Sequence, residues 1–368
     1  MSEANENKNK NLLKSVSIDL LYDGMLVEDD IYDSTGDRLL ITSGNTIDDV
    51  HIERIKRLNS GSTTIYVTGR THKAMLSKKP KNIEIENRQE VEDSIGYTTT
   101  KDQTFELLAE MASTKTVNID SLDTVSQELT HQLESTPPTV IISLINAMAP
   151  IDEYLQRHSA NVGLLNGLIG RWMGASDTDV DRLVLVGLLH DCGKTLIPPR
   201  ILNAPRKLTV TEYEVIKKHA DYTYDLLADF PEAIRVAAGS HHERIDGSGY
   251  PKGLSNDEIA LGARITAISD TYDAMVSQRA YRNPQSPFSV LSLLEKQSQD
   301  LLDGEVVHIF KKNMPSHLMN KPVIMSDGTI GIVRKYDPSN IEYPTVEVQG
   351  RTMKSNKDLY IVSMYSDE

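Results

Sequence analysis

The sequence predicts a multidomain protein in which an all-α domain is flanked by a small N-terminal α+β module and a small C-terminal β module. The chain has 368 residues, more than one ordinary domain needs. Apolar residues recur at three- and four-residue intervals over residues 105–316, which is typical of helices. On both sides of this region the pattern changes to short β-like runs separated by glycines.

The part of the chain before the helical domain divides into three segments. Residues 1–15 are a polar tail, and residues 16–73 combine β-like runs with one stretch of helical spacing, which predicts a small α+β regulatory module. Residues 74–104 are polar and show little apolar periodicity. We interpret them as a linker, with an extended helix as the alternative.

Residues 317–368 are expected to form the C-terminal β module. Apolar and polar residues alternate from Pro322 onward, and the pair Asp327-Gly328 is a hairpin signal. Both flanking modules are expected to regulate the helical domain or to form oligomer contacts. The sequence leaves open whether the protein forms a homodimer or binds a signalling protein.

Charge and cysteine content exclude several classes of function. The 39 basic and 53 acidic residues give a net charge of −14, which argues against a protein that binds nucleic acid or coats an anionic membrane. Cys192 is the only cysteine, so an intrachain disulfide and a four-cysteine zinc site are excluded. No segment approaches the roughly 18 apolar residues of a membrane span. We therefore expect a cytoplasmic protein without a membrane span.

Histidines and acids in the helical domain predict a metal centre. Five of the ten histidines fall in its middle, and two of them are adjacent to each other. One histidine is followed directly by an aspartate, and a further aspartate ends an apolar run. The seven candidate ligands are His158, His190, Asp191, His219, His241, His242 and Asp270. Buried polar groups of this kind are costly unless they are paired or bound to metal.

The types and number of these ligands favour two metal ions. Neutral imidazole and carboxylate suit Fe, Mn, Zn or Ni better than Ca or Mg. If Asp191 bridges both ions, the first site holds His158, His190 and Asp270, and the second holds His219, His241 and His242. Two ions about 3.5–4 Å apart are typical of phosphodiester hydrolysis, in which a shared hydroxide attacks the phosphate.

Two segments resemble signatures of the HD-GYP family. His190–Lys194 reads HDCGK, and His241–Pro251 reads HHERIDGSGYP. The resemblance extends from about Asp152 to Phe310 and implies an HD-type helical catalytic domain. By this resemblance the protein is expected to hydrolyse the signalling nucleotide cyclic di-GMP to linear pGpG, GMP or both, with Fe or Mn as the metals.

The same resemblance implies further roles for individual residues. Lys194 is expected to act beside the catalytic Asp191 and to neutralise a substrate phosphate. Gly249 and Tyr250 are expected to line the guanine side of the pocket. The other expected substrate-binding residues are Arg279 and Arg282. Arginine suits a phosphate or a guanine edge because its planar fork donates two parallel hydrogen bonds.

Some positions near the ligands lead to negative or secondary expectations. Some family members have a third metal held by a glutamate four residues before the first histidine, where this chain has Tyr154. Glu153 is one residue out of register, so two metals are expected. Glu243 and Asp246 are expected to orient histidines rather than bind metal. Cys192 is expected to be a small buried residue outside the site.

Two alternatives remain open at this stage. One is a phosphodiesterase for another nucleotide, such as cyclic GMP-AMP, because one purine edge can change without altering the metal chemistry. The other is a regulatory protein that binds a cyclic dinucleotide and no longer cleaves it. The chain keeps all seven candidate ligands, which favours the enzyme.

Overall fold

The computed structural model describes residues 88–147, 154–202, 204, 206, 208–277 and 284–365, with short stretches of the first 83 residues. The chain forms two compact units, Met1–Ile83 and Glu84–Glu368. Described strands of the first unit are β1 (Leu13–Ser17), β2 (Leu26–Val27), β3 (Ile31–Tyr32), β4 (Leu39–Ile41) and β5 (Thr64–Thr68). One antiparallel sheet has the order β1-β5-β2, and β3 pairs with β4. The α+β character of this module stays a prediction.

The second unit contains the predicted all-α region, which is confirmed. Its described helices are α1 (Arg88–Ser94), α2 (Tyr97–Thr114), α3 (Ile119–Ser135), α4 (Pro138–Asn146), α5 (Tyr154–Trp172), α6 (Asp177–Leu189), α7 (Pro199–Leu202), α8 (Val210–Lys217), α9 (His219–Leu226), α10 (Glu232–Gly239), α11 (Leu261–Val276), α12 (Pro287–Gln297) and α13 (Gly304–His317). Short 3-10 helices cover Cys192–Leu196 and Asn256–Glu258. None of the described helices is both long and apolar enough to cross a membrane.

Side-chain caps explain where several of these helices begin. The Ser176 hydroxyl accepts the N–H of Asp179 at the start of α6. Thr209 and Glu212 form a capping box at the start of α8. Asp303 accepts two backbone N–H groups at the start of α13. Each cap satisfies N–H groups that lack a partner within the helix, which stabilises the fold by about 1 kcal/mol.

The core of the helical domain is built around α5 and α6, which pack side by side. Leu164 and Leu168 of α5 and Val184 and Leu188 of α6 are at most 1% exposed. Burying one such side chain contributes roughly 1.5–3 kcal/mol. Helix α11 packs against both α5 and α6, so this core fixes the relative positions of three helices that carry or directly precede candidate ligands.

The helical domain begins earlier than the sequence pattern indicates. Residues 88–104, the second half of the predicted linker, form α1 and the first part of α2. The face that they bury is largely polar and includes Glu92, Thr100, Lys101 and Thr104. A polar buried face produces no apolar periodicity, which is why this segment resembled a linker. The remaining domain boundaries stay predictions.

The C-terminal β module is an antiparallel sheet, as predicted. Its strands are β6 (Pro322–Met325), β7 (Ile330–Lys335), β8 (Thr345–Val348), β9 (Arg351–Lys354) and β10 (Ile361–Met364), in the order β10-β6-β7-β8-β9. Gly328 has a φ of 78° in the turn that joins β6 to β7. The Asp327 carboxylate accepts the N–H of Thr329 and supports this turn. The predicted Asp327-Gly328 hairpin is therefore confirmed.

Candidate metal centre

The structure brings the seven predicted ligands together at one place in the helical domain. His158 lies near the start of α5, and Asp270 lies in α11. The other five stand at helix ends: His190 and Asp191 after α6, His219 at the start of α9, and His241 and His242 after α10. Residues far apart in the sequence therefore meet because several helix ends converge between α5 and α11.

The seven side chains form two groups. The first group contains His158, His190 and Asp270, and the second contains Asp191, His219, His241 and His242. Within each group, one possible ligand atom from every residue lies within 4.8 Å of the others. Asp270 and His242 are partly exposed, whereas the other five residues are buried. The cluster can therefore hold metal ions and is reached from the side of Asp270 and His242.

Asp191 faces both groups with different oxygens. Its Oδ2 lies 3.3 Å from His190 Nε2 and 3.6 Å from His158 Nε2. Its Oδ1 lies 3.4 Å from His219 Nε2 and 3.8 Å from His241 Nε2. His158 Nε2 also lies 3.3 Å from Asp270 Oδ1. This arrangement suits a carboxylate that bridges two cations.

Hydrogen bonds on the opposite ring nitrogen orient four of the histidines. The Nδ1 atoms of His190, His219 and His241 lie 2.6–2.7 Å from the backbone carbonyl oxygens of Gly187, Ile216 and Ala238. The Nδ1 atom of His158 lies 2.7 Å from the carboxylate of Asp273. Because carbonyl and carboxylate oxygens accept, each Nδ1 carries the proton. Each Nε2 is then the ring atom that faces the cluster, and it offers a lone pair to a metal whenever it carries no proton.

Several atoms of the cluster lack the partners that buried polar groups need. The Nε2 atoms of His190, His219 and His241 and the Oδ1 of Asp191 are buried and have no hydrogen-bond partner. Leaving such atoms unpaired costs on the order of 1–3 kcal/mol each. All four are oriented toward the space between the ligands. The residues present therefore fit a cation-binding site.

The second group is electrically suited to binding a metal. Burial lowers the pKa of His242 to about 3 and lowers the pKa of His219 and His241 as well. These imidazoles are therefore neutral near pH 7, which is the form that binds metal. Burial opposes ionisation of Asp191, but the charges of Lys194 and His190 hold its pKa well below the usual value.

The first group has an excess of negative charge around one imidazole. Burial opposes protonation of His158, but its contacts with Asp191, Asp270 and Asp273 raise its pKa to about 10. The contact with His158 also lowers the pKa of Asp270 well below the usual value, although burial opposes this. Three carboxylates around a single histidine attract a cation to this position.

Gly193 of the HDCGK segment allows two parts of the site to approach closely. A Cβ at this position would overlap the carbonyl oxygen of His219 and would lie 2.5 Å from the backbone nitrogen of Thr223. The Gly193 N–H donates to Thr223 Oγ1 at 3.0 Å, and this hydroxyl donates to the carbonyl of His190 at 3.1 Å. Glycine is needed here because α9 packs directly on the backbone after Asp191.

Lys194 places a positive charge at the opening of the cluster. Its Nζ forms an ion pair with Asp191 Oδ2, and its side chain is 35% exposed. A single turn of 3-10 helix brings Lys194 back over Asp191, three residues earlier. An anionic group that enters from solvent therefore meets this ammonium group beside the bridging carboxylate.

The Gly249-Tyr250 turn lies against the second group. The Tyr250 ring stacks on His242 with 4.6 Å between ring centres, and the backbone N–H of Tyr250 donates to the carbonyl of His242 at 3.2 Å. A Cβ on Gly249 would lie 2.5 Å from the carbonyl oxygen of His242, so only glycine fits. Burial raises the pKa of Tyr250, which keeps its hydroxyl protonated.

Glu243 and Asp246 do not orient histidines, so this prediction was wrong. The Glu243 carboxylate accepts the backbone N–H groups of Lys252 and Leu254 at 2.7 and 3.0 Å. Asp246 accepts the N–H of Ser248 at 2.9 Å. Both acids therefore stabilise the turn that carries Tyr250, because exposed backbone N–H groups in such a turn need acceptors.

Other predicted residues are only partly covered by the described chain. Arg279, Arg282 and Glu153 lie outside the described residues. Helix α5 begins at Tyr154, and nothing in the described part of the chain tests the expected number of metals. Cys192 is buried and unpaired, and burial raises its pKa to about 12, which fits the predicted packing role.

Asp273 is a functional residue that the sequence reasoning missed. Its side chain is fully buried and contacts His158, as described above. It lies three residues after Asp270 on α11, so both acids are on the same side of the helix. A second acid three residues after Asp270, in a helix that is largely buried, is the signal that could have identified it.

Comparisons with known proteins match the region that contains the cluster. Residues 143–306 match the family model described as "HD domain". A cyclic di-GMP phosphodiesterase from Thermotoga maritima is 38% identical over 177 residues, which cover 47% of this chain and 48% of that protein. A cyclic di-GMP phosphodiesterase from Pseudomonas aeruginosa is 32% identical over 214 residues, which cover 57% of this chain and 51% of that protein.

A third relative has a different named substrate. A 3'3'-cGAMP-specific phosphodiesterase from Vibrio cholerae is 35% identical over 177 residues, which cover 47% of this chain and 38% of that protein. The chain therefore spans about half the length, or less, of these curated relatives. The matched part includes the described cluster, because all seven side chains lie within residues 143–306.

Proposed function

We propose that the chain is a metal-dependent phosphodiesterase of the HD-GYP family that hydrolyses cyclic di-GMP to linear pGpG, GMP or both, because residues 143–306 match an HD domain and two relatives over this region are named cyclic di-GMP phosphodiesterases. The observation that carries the proposal is the position of Asp191, whose two oxygens face two separate groups of buried ligands. A carboxylate in this position joins two cations into one site.

Two divalent ions, Fe or Mn, are the proposed cofactors. His158, His190, Asp191 and Asp270 would hold the first ion, and Asp191, His219, His241 and His242 would hold the second. When bound, such ions activate water and hold phosphate oxygens, so the reaction needs no nucleophilic side chain. The mixed imidazole and carboxylate set supports these metals and also accepts zinc.

Residues of the chain bind and orient the substrate at the opening of this centre. Lys194 neutralises the phosphate beside Asp191, because its ammonium group is at the opening and is partly exposed. Tyr250 and Gly249 line the adjacent wall, where the tyrosine ring already stacks on His242. Arg279 and Arg282 supply further positive charge by the resemblance described above. These cations compensate for the net negative charge of the protein.

Cyclic GMP-AMP is the second candidate substrate. The observation that favours it is the 35% identity to a relative whose name specifies this nucleotide. The two cyclic dinucleotides present the same phosphodiester groups to the metal centre. They differ only at the edge of one purine base. The metal ligands are therefore expected to serve both substrates, and the walls of the pocket decide between them.

The test is hydrolysis of each cyclic dinucleotide by anaerobically purified protein reconstituted with Fe(II) or Mn(II). Products are separated by chromatography, and metal is counted in the same sample. We expect cyclic di-GMP to be linearised faster than cyclic GMP-AMP. Faster turnover of cyclic GMP-AMP would favour the second candidate, and a metal-loaded protein that binds but cleaves neither would indicate a binding protein.

A matched pair of variants distinguishes this site from a contaminating activity. His219→Ala removes a buried ligand of the second group, whereas His308→Ala removes an exposed histidine of α13. We expect the first variant to lose at least about a hundredfold in kcat/KM and the second to retain wild-type activity. Equal activity of the two variants would exclude the proposed site.

A further inference from the structure

A chain of buried hydrogen bonds extends from His158 away from the metal centre. His158 Nδ1 donates to Asp273 Oδ2 at 2.7 Å, and Asn161 Nδ2 donates to Asp273 Oδ1 at 2.7 Å. The Tyr97 hydroxyl donates to Asn161 Oδ1. Each of these four residues is at most 6% exposed. Water therefore has little access to replace any of these partners.

The chemistry of the groups fixes the direction of each hydrogen bond. An ionised carboxylate only accepts, so Asp273 requires a proton on His158 Nδ1 and the amide nitrogen of Asn161. The amide oxygen of Asn161 then faces Tyr97, whose hydroxyl must donate. Loss of the Tyr97 hydroxyl would leave Asn161 Oδ1 without this donor in a buried position.

Tyr97 is itself held by Arg157 of α5, which in turn contacts charged residues of α1. The Arg157 guanidinium lies 5.6 Å from the centre of the Tyr97 ring and 3.4 Å from the carboxylate of Glu92. Glu92 is fully buried on α1 and lies 2.9 Å from Arg88. Tyr97 and Glu92 precede residues 143–306, so this support comes from outside the matched HD segment.

His158 differs from the other oriented ligands. His190, His219 and His241 donate from Nδ1 to backbone carbonyls of the preceding helical turn, at 2.6–2.7 Å. His158 donates instead to the Asp273 side chain, which accepts from Asn161, itself held by Tyr97, and at 3.4 Å from the hydroxyl of Ser277. The orientation of the His158 ring therefore depends on other side chains and not on a backbone carbonyl of its own helix.

We infer that Tyr97, acting through Asn161 and Asp273, is a positioning residue that sets the orientation of His158 and the metal affinity of the first group. The inference rests on the proposed function only in taking His158 as a metal ligand. The chain keeps the proton on Nδ1 and directs Nε2 toward Asp191 and Asp270. Helices α1 and α2 thus contribute to the metal centre without touching it.

Two tyrosine variants provide a matched comparison. Tyr97 and Tyr272 are both fully buried, and each hydroxyl donates to the amide oxygen of an asparagine, Asn161 and Asn146 respectively. Only the first pair connects to His158. Tyr97→Phe and Tyr272→Phe therefore remove the same atom in the same kind of contact, and a purely structural role would affect both equally.

The measurement is Mn(II) affinity of the full chain, followed by electron paramagnetic resonance. His219→Ala and His242→Ala disable the second group in the background, so the titration reports the first group. We expect Tyr97→Phe to weaken Mn(II) binding about fivefold, the equivalent of one net hydrogen bond. Tyr272→Phe is expected to stay within about twofold of the background, as typical for a residue not coupled to the site.

Further variants show whether the effect passes through His158. When His158→Ala is present, Tyr97→Phe should cause no additional loss of Mn(II) affinity. Asn161→Leu breaks the chain at a second point and should weaken binding at least as much as Tyr97→Phe. The inference would be overturned if Tyr97→Phe and Tyr272→Phe lost Mn(II) affinity equally. It would also be overturned if Tyr97→Phe still weakened Mn(II) binding when His158→Ala is present.

Measuring Mn(II) binding and hydrolysis separately distinguishes the positioning role of Tyr97 from the proposed phosphodiesterase function. If the protein binds Mn(II) with the expected variant pattern but cleaves no cyclic dinucleotide, the positioning role stands and the proposed function fails. If it cleaves the substrate but the tyrosine variants behave alike, the positioning role fails alone. A wild-type chain that binds no Mn(II) at all would refute both.

Discussion

The backbone nitrogen of Gly193 donates a 3.0 Å hydrogen bond to the hydroxyl of Thr223. This contact joins the segment after Asp191 to α9, whose first residue is His219. The two proposed metal groups are therefore connected through backbone as well as through the Asp191 carboxylate. A small change at Gly193 should consequently disturb ligands that lie far apart in the sequence.

Gly193→Ala should destabilise the protein and weaken the second group. The added methyl group would overlap the carbonyl oxygen of His219, and backbone atoms cannot move as freely as a flexible side chain. We expect a loss of about 1–3 kcal/mol in the free energy of unfolding, measured with urea. Gly304→Ala is the control, because its methyl group would lie 3.6 Å from the carbonyl oxygen of Ser298, an ordinary contact. Equal stability of both variants would contradict this account.

Asp191→Ala should abolish turnover and reduce the number of bound metals. The substitution removes both oxygens that face the two ligand groups. We expect kcat to fall at least about a hundredfold even with excess Mn(II), together with the loss of about one metal per chain. Asp102→Ala, at an exposed position of α2, is the control. Retention of more than about a tenth of the wild-type rate would refute the bridging role.

Lys194→Gln should impair substrate binding and catalysis while leaving the metals in place. The ammonium group is at the opening of the cluster, where it meets an incoming phosphate. We expect kcat/KM to fall by about tenfold to a hundredfold, because a charge-assisted contact contributes roughly 1.5–3 kcal/mol. Lys312→Gln, on an exposed position of α13, serves as the control. An unchanged kcat/KM would remove Lys194 from the proposed mechanism.

Metal binding to the first group should release a proton, whereas binding to the second should not. The pKa of His158 is raised to about 10, so this residue is protonated at pH 7.5 before metal binds. The pKa of His242 is lowered to about 3, so this residue is already neutral. Affinity at the first group should therefore fall as the pH falls from about 10, because protons compete with metal for His158.

Calorimetry in buffers of different ionisation enthalpy measures this proton directly. Wild-type protein at pH 7.5 should release about one proton per chain when the first group fills. His158→Ala should release none from this position. If the wild type and this variant release equal numbers of protons, His158 does not exchange its proton for a metal.

The seven candidate ligands were predictable because their chemistry is visible in the sequence. An adjacent His190-Asp191 pair and an adjacent His241-His242 pair directly after apolar stretches need partners wherever they are buried. The structure places all seven together. The Asp327-Gly328 turn was predictable for a similar reason, since the turn requires a positive φ that glycine adopts readily.

Features that depend on polar burial were not predictable from the pattern. Helices α1 and α2 bury Glu92, Thr100 and Lys101, and such residues are normally expected at the surface. Asp273 was missed because its role depends on a contact with a residue 115 positions away. Glu243 was misassigned because sequence proximity to His241 and His242 gave no information about the direction of its side chain.

The most direct test of the central claim is the initial rate of cyclic di-GMP hydrolysis as Mn(II) is added in steps to metal-free protein. The account predicts little turnover up to one equivalent per chain, a steep rise between one and two equivalents, and a plateau at two. A plateau at one equivalent, or an inert protein with two bound ions, would contradict a two-metal phosphodiesterase bridged by Asp191.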